Sequence, residues 1–258
     1  MPILFDIPIS PYAQKVKLAL LEKGIPFENR ITNVDDPDPE FRAHSPRLEV
    51  PALVDEDFGL FDSSIIVEYI EERWPEPALL PGSPRERARV RTLEEICDTA
   101  YDAIVWGIAE VTVFRRAHGD TADRLLARAR EQIAGLNARL ERDLVGREYF
   151  NGERFGFGDI AVYPFVNGAA AISYKPEPGS KLEAWLKATR KRPSAERVKQ
   201  DVAASLAEFA KKPELVASGK AKREYRDHRL DWMIRSGGIE VVLRGAQVGN
   251  IRFSRELE

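Results

Sequence analysis

Ten residues, 75–84, carry four prolines: Pro75, Pro77, Pro81 and Pro84. No helix or central strand crosses such a stretch, because each proline removes a backbone donor and fixes φ. The chain is therefore divided there. Before it, short β-like runs alternate with helical ones. After it, to about residue 211, nearly everything reads helical. Residues 3–7 predict a first strand and residues 12–23 a first helix, stopped by Gly24. Residues 27–31 predict a second strand. Residues 33–46 are polar and proline-containing and predict a long loop with at most one helical turn. Residues 51–55 and 59–61 predict two more strands, and the apolar periodicity after Asp62-Ser63-Ser64 predicts a helix ending near Trp74. The order β-α-β-(α)-β-β-α is that of a small α/β domain over residues 1–78.

Ser83-Pro84-Arg85-Glu86 opens the second unit. Serine at the N-cap, proline at the first helical position and glutamate at the third predict a helix start closed by a capping box. Residues 84–117 predict one long helix or a kinked pair, and residues 121–144 another. Phe157-Gly158-Asp159-Ile160 opens a mostly apolar helix, and residues 181–188 and 194–210 add two more. The expected all-helical unit spans 84–211. Residues 212–258 form an extension, with a charged helix over 224–234 and a terminal hairpin built from 239–243 and 250–253 around Gly245 and Gly249.

Composition excludes several function classes. The 39 basic and 42 acidic residues leave a net charge of −3, with no long basic run to track a phosphate backbone. One cysteine, Cys97, allows neither a disulfide framework nor a cysteine metal cluster, and reads as a small buried hydrophobe. The three histidines, His44, His118 and His228, show no ligand spacing, so no metal is expected. No uncharged apolar run approaches the roughly 18 residues of a spanning helix. The N-terminus lacks the basic start of a signal peptide. A cytoplasmic setting is the expectation.

Ser10-Pro11-Tyr12 lies where the first strand hands over to the first helix. Backbone N–H groups and the helix dipole converge there and favour an anion, though a serine at that place also serves as a plain N-cap. Val50-Pro51 enters a strand and is either a cis bond or an ordinary edge-strand proline. Asp62-Ser63 opens a helix and can cap it, hold an anionic ligand group, or both.

Taken together these motifs resemble the soluble glutathione transferase superfamily over roughly residues 1–205. The matching pieces are Ser10-Pro11-Tyr12 with Lys15-Val16, Val50-Pro51-Ala52-Leu53, Asp62-Ser63, the linker Trp74-Pro75-Glu76-Pro77, Phe157-Gly158-Asp159-Ile160-Ala161 and Arg192-Pro193-Ser194. The resemblance implies a thioredoxin-like N-terminal domain, a helical C-terminal domain, glutathione as co-substrate and a homodimer. It implies that Ser10 donates to the glutathione sulfur and stabilises the thiolate. It implies that Val50, in cis with Pro51, pairs with the cysteinyl part, and that Asp62 and Ser63 hold the γ-glutamyl end. A small hydrophobic electrophile would sit between Ser10 and the first long helix, with Tyr12, Tyr101, Trp106 and Phe114 as walls, although aromatics at helical spacing also read as plain core.

Locally, the Ser10, Glu49-Val50-Pro51 and Phe61-Asp62-Ser63 motifs also resemble the etherase-type branch, which cleaves aryl ethers by glutathione attack. Two positions depart from the pattern. Glu49 places a carboxylate near the glycyl end of the peptide unless Arg47 or Lys15 offsets it. Gly156 replaces a serine or threonine at the cap of the buried helix, at an expected cost of a few tenths to about 1 kcal/mol. The rival readings are a non-catalytic binding member, suggested by Glu49 and the extension, and a thiol-disulfide reductase, disfavoured by the lack of a cysteine near position 10. The charged stretches in 121–142 and 219–231 read as solvated helix faces.

Overall fold

The computed structural model describes residues 1–253. Its N-terminal part is a four-stranded sheet in the order β2-β1-β3-β4, formed by β1 (Ile3–Asp6), β2 (Glu28–Ile31), β3 (Ala52–Asp55) and β4 (Phe58–Phe61). The β1–β2 pair is parallel, and β1–β3 and β3–β4 are antiparallel. The parallel pair needs a crossover, which α1 (Pro11–Glu22) supplies. Every residue of β3 is buried, so it reads as an unbroken apolar run rather than an alternating one. Residues 33–46, expected as loop, contain the six-residue helix α2 (Pro39–His44), capped by Asp38 through the Phe41 amide at 2.9 Å. The helix α3 (Ser63–Arg73) completes this part beside α1.

The helical part begins at α4 (Pro84–Ile96). Ser83 accepts from the Glu86 amide at 3.2 Å. The expected capping box does not close, because Glu86 turns outward to Arg89 and Arg147, at 2.8 and 2.9 Å. The expected long helix is broken at residues 97–101 by one π-helical turn, after which α5 (Asp102–Thr112) continues. Then follow α6 (Gly119–Asp143), α7 (Phe157–Ala171), α8 (Lys181–Thr189) and α9 (Pro193–Phe209). The central helix α7 is nearly all buried and packs against α1 and α4, so one apolar core runs from the sheet's helical face into the bundle.

Gly156 is explained by crowding. A Cβ there would lie 2.4 Å from the Leu79 carbonyl oxygen and 2.4 Å from the Asn151 amide nitrogen. Serine or threonine does not fit, so glycine is required rather than tolerated. Capping falls instead to Asp159, whose carboxylate accepts from the amides of Phe150, Asn151 and Gly156 and from the Trp185 indole.

The extension continues with α10 (Lys212–Ala217), β5 (Arg223–Tyr225), α11 (Asp227–Arg235), α12 (Ile239–Gln247) and β6 (Ile251–Phe253). The expected hairpin is absent. Residues 239–247 are helical, burying Val241, Val242 and Gly245 on one face, and β5 and β6 pair in parallel. Parallel pairing needs a long crossover, and α11 with α12 is that crossover.

Candidate functional site

A cavity of about 200 Å³ opens where three segments of the N-terminal part meet the helices and the extension. Tyr12 comes from α1, Glu49, Val50 and Pro51 from the entry to β3, and Asp62, Ser63 and Ser64 from the start of α3. The helical part adds Glu95, Asp98 and Thr99, and the extension adds Arg226 and His228.

Asp62 caps α3 with its backbone in the left-handed region, φ 78°. Its Oδ1 accepts from the Ser64 and Ile65 amides at 3.0 and 3.3 Å. A non-glycine residue held there is strained, and such strain collects at ligand sites. Ser63 follows as the first helical residue, 5% exposed, at the positive end of the helix dipole. The Val50–Pro51 peptide bond is cis, as expected from the resemblance.

Beneath this rim lies a buried cation. Lys15 pairs with Glu94 and Asp98, both at 2.6 Å, and Ser64 donates to Glu94 at 2.8 Å. Burial draws the Lys15 ammonium downward, but the two carboxylates outweigh it and hold it above its ordinary value. Burial pushes Asp98 up to about 6 against the pull of Lys15. Tyr12 donates its hydroxyl to the Asp98 carbonyl at 2.7 Å, and burial together with Asp102 holds the phenol well above its usual pKa.

Glu49 meets neither offsetting cation that the sequence suggested. Lys15 is committed to Glu94 and Asp98, and Arg47 lies over the Phe61 ring. The partner is Arg226, 2.8 Å away. Burial pushes the Glu49 carboxyl up to about 7, and Arg226 opposes that rise.

The structure brings six of the expected site residues together at this cavity: Tyr12, Glu49, Val50, Pro51, Asp62 and Ser63. Ser10 does not line it. Its half-buried side chain caps α1, accepting from the Ala13 amide at 3.4 Å. Three expected electrophile walls are corrected. Tyr101 is fully buried in the π-turn and donates to Asn137 at 3.1 Å, so it is core. Trp106 is covered by two guanidinium groups, Arg223 at 3.3 Å and Arg229 at 3.9 Å from its ring centre. Phe114 lies under the same Arg223 at 3.8 Å and meets Phe209 edge-on. The extension occupies the place where an electrophile was expected.

The stretch 219–231, expected as a solvated helix face, is buried in large part. Glu110, with no exposure, receives Arg223, Arg116 and the Tyr225 hydroxyl at 2.5, 3.0 and 2.9 Å. Asp102 receives Arg229 at 2.7 Å and meets His228 Nε2 at 3.0 Å. Burial alone would raise the Asp102 carboxyl, but Arg229 and His228 hold it well below the ordinary range. The signal for this docking was present in the chain. Asp102, Trp106, Glu110 and Phe114 recur every four residues and share one face of α5. Two carboxylates on a face that is otherwise aromatic call for cations, and Arg223, Arg226 and Arg229 recur every three residues.

Comparison with known proteins bears on the fold and on this cavity. The family model for the glutathione S-transferase N-terminal domain matches residues 4–78, and that for the C-terminal domain matches residues 120–188. A protein of Pseudomonas putida named glutathione S-transferase is 32% identical over 232 residues, covering 84% of this chain and 98% of its own. A stringent starvation protein A homologue of Haemophilus ducreyi is 30% identical over 156 residues, 60% of this chain and 68% of its own. The crystal structure of a glutathione S-transferase from Rhodospirillum rubrum superposes with a TM-score of 0.68 at 27% identity, covering 77% of this chain and 91% of that one. The chain belongs to the glutathione S-transferase family, whose co-substrate is glutathione. Residues 212–253 lie outside both matched regions. Among the described residues no helix is long and apolar enough to cross a membrane.

Proposed function

We propose that this chain is a glutathione-dependent transferase that binds glutathione in the cavity between the β3 entry and the start of α3. The carrying observation is the pairing of Asp62 and the buried Ser63 at the positive end of α3 with the Val50–Pro51 segment across one cavity. The γ-glutamyl carboxylate is held by the Ser63 hydroxyl and the helix N-terminus, and the ammonium by the Asp62 carboxylate. The Val50 backbone pairs with the cysteinyl part. Ser10, two residues before Tyr12, donates to sulfur and lowers the cost of the thiolate. The thiolate then attacks an electrophilic carbon of a small hydrophobic substrate. For an aryl ether the new bond is S–C, the C–O bond breaks, and the phenolate leaves with the electron pair and takes a proton from water. The protein acts as a cytoplasmic homodimer in this reading.

Initial rates with glutathione and a panel of aryl ethers, aryl halides and epoxides test the proposal. Ser10→Ala is expected to lower kcat/KM roughly 10²-fold, the scale for losing one donor to a developing anion. A fully active Ser10→Ala enzyme would remove Ser10 from the mechanism.

A second reading is a ligand-binding member without turnover. Arg223 over Trp106 and Phe114 favours it, because it closes the apolar walls an electrophile would use. Retention on glutathione-agarose with no turnover of any panel substrate would select it.

A further inference from the structure

The cavity is acidic. Its lining carries Glu49, Asp62, Glu95 and Asp98, against Arg226 and His228. His228 is tied to Asp102, and Lys15 is buried away from the cavity between Glu94 and Asp98. A peptide with two carboxylates and one ammonium gains nothing from such a field unless one cation faces its second carboxylate. Arg226 is placed for that. It lies on the extension, immediately before α11, with its guanidinium 5.1 Å from the Tyr12 ring centre and one nitrogen on Glu49. Its Nε faces Glu224 at 3.4 Å, and its Nη1 has no protein partner among the described residues. Glu49 directly precedes Val50, so Arg226 stands at the glycyl side of the peptide position.

The same extension grips the loop that shapes this corner. Arg252 of β6 donates to the carbonyls of Arg47 and Leu48, at 3.4 and 3.2 Å, and pairs with Glu224 at 3.0 Å. Leu48 is held at φ 53°. Residues 47, 48 and 49 are thus each tied to the extension just ahead of Pro51, two through Arg252 and one through Arg226.

On the reading of this cavity as the glutathione site, we propose that Arg226 is its specificity-determining cation: it neutralises Glu49 and binds the glycyl carboxylate, making the C-terminal extension a working wall of the site. Glutathione without that charge gains nothing from Arg226. Without Arg226, Glu49 repels the charged peptide and not the neutral one.

The test is calorimetric titration of the full chain with glutathione and with its monoethyl ester, blocked at the glycyl carboxylate. The wild type should prefer the acid. Arg226→Ala should weaken the acid about tenfold or more, the scale of one lost charge-assisted contact, and leave the ester little changed. Arg226→Lys should keep the preference. Glu49→Gln, which does not depend on the folding of the alanine variant, should bind the acid as tightly as wild type or tighter, with no gain for the ester. Glu49→Gln combined with Arg226→Ala should recover most of the loss. Equal weakening of acid and ester in Arg226→Ala, or no change in either, overturns the assignment while leaving the glutathione site standing. A wild type that binds neither ligand overturns both.

Discussion

Replacing Glu110 by glutamine keeps the shape of the side chain and removes its charge. Glu110 is fully buried, and Arg223 and Arg116, each with 9% side-chain exposure, converge on it with the Tyr225 hydroxyl. Burial pulls the Arg223 guanidinium below its ordinary pKa, with Glu110 opposing, so the pair is held by the carboxylate rather than by its surroundings. Removing one partner of a buried pair costs about 3–5 kcal/mol, because a desolvated charge is left behind. Here two guanidinium groups are left. The loss falls on the docking of residues 223–253, which are joined to the rest of α5 mainly through Glu110 and Asp102. At about 1.4 kcal/mol per tenfold, opening of the extension becomes roughly 10²- to 10³-fold more frequent. Amide hydrogen exchange reads this directly: protection across Ile239–Gln247 and Ile251–Phe253 should fall by that factor, while β1 and β3 keep theirs. Limited proteolysis should cut after Phe209. Unchanged protection in α12 would refute the claim that Glu110 anchors the extension.

Asp102 predicts a pH dependence. Its folded pKa is depressed below the unfolded 3.8, so the unfolded chain binds the proton more readily and the stabilising contribution is present above that value. It is lost as pH falls from about 4 toward the folded pKa, so denaturant midpoints of the wild type should drop more steeply between pH 5 and pH 3, taken as rough limits, than those of Asp102→Asn. A wild type and variant with parallel profiles would contradict this. Asp159→Ala removes the acceptor of three backbone amides and the Trp185 indole, all at the start of the buried α7. Buried donors left unpaired cost about 1–3 kcal/mol each, and with partial relaxation the sum should lower Tm by roughly 10 °C, measured by calorimetry.

Much of the fold was legible because it is written locally. The prolines at 75–84, the Ser83-Pro84 start, and the alternation of β-like and helical runs depend on neighbours a few residues away. The Asp62-Ser63 start and the Val50-Pro51 entry to β3 were legible for the same reason, and they meet at one cavity. What was not legible lies in long-range contacts. Tyr101, Trp106 and Phe114 read as pocket walls because their periodicity says only that a face is apolar. Whether solvent, substrate or another part of the chain covers that face depends on Arg223 and Arg229, more than a hundred residues away. The extension misread in the same way: residues 239–243 are β-branched and apolar, but α12 uses them at helical spacing against α5 and α11. Gly156 read as a weak cap until the Leu79 carbonyl was seen against it.

The central claim is that the start of α3 and the β3 entry form a glutathione site. Calorimetric titration of glutathione into the wild type and into Ser63→Ala tests it most directly. Ser63 is 5% exposed and lines the cavity, so its hydroxyl contributes through a charge-assisted contact worth about 1.5–3 kcal/mol. The account predicts saturable binding to the wild type and a dissociation constant at least about tenfold weaker for Ser63→Ala, with an unchanged melting temperature. Equal affinity in the two proteins, or no binding to the wild type, would contradict it.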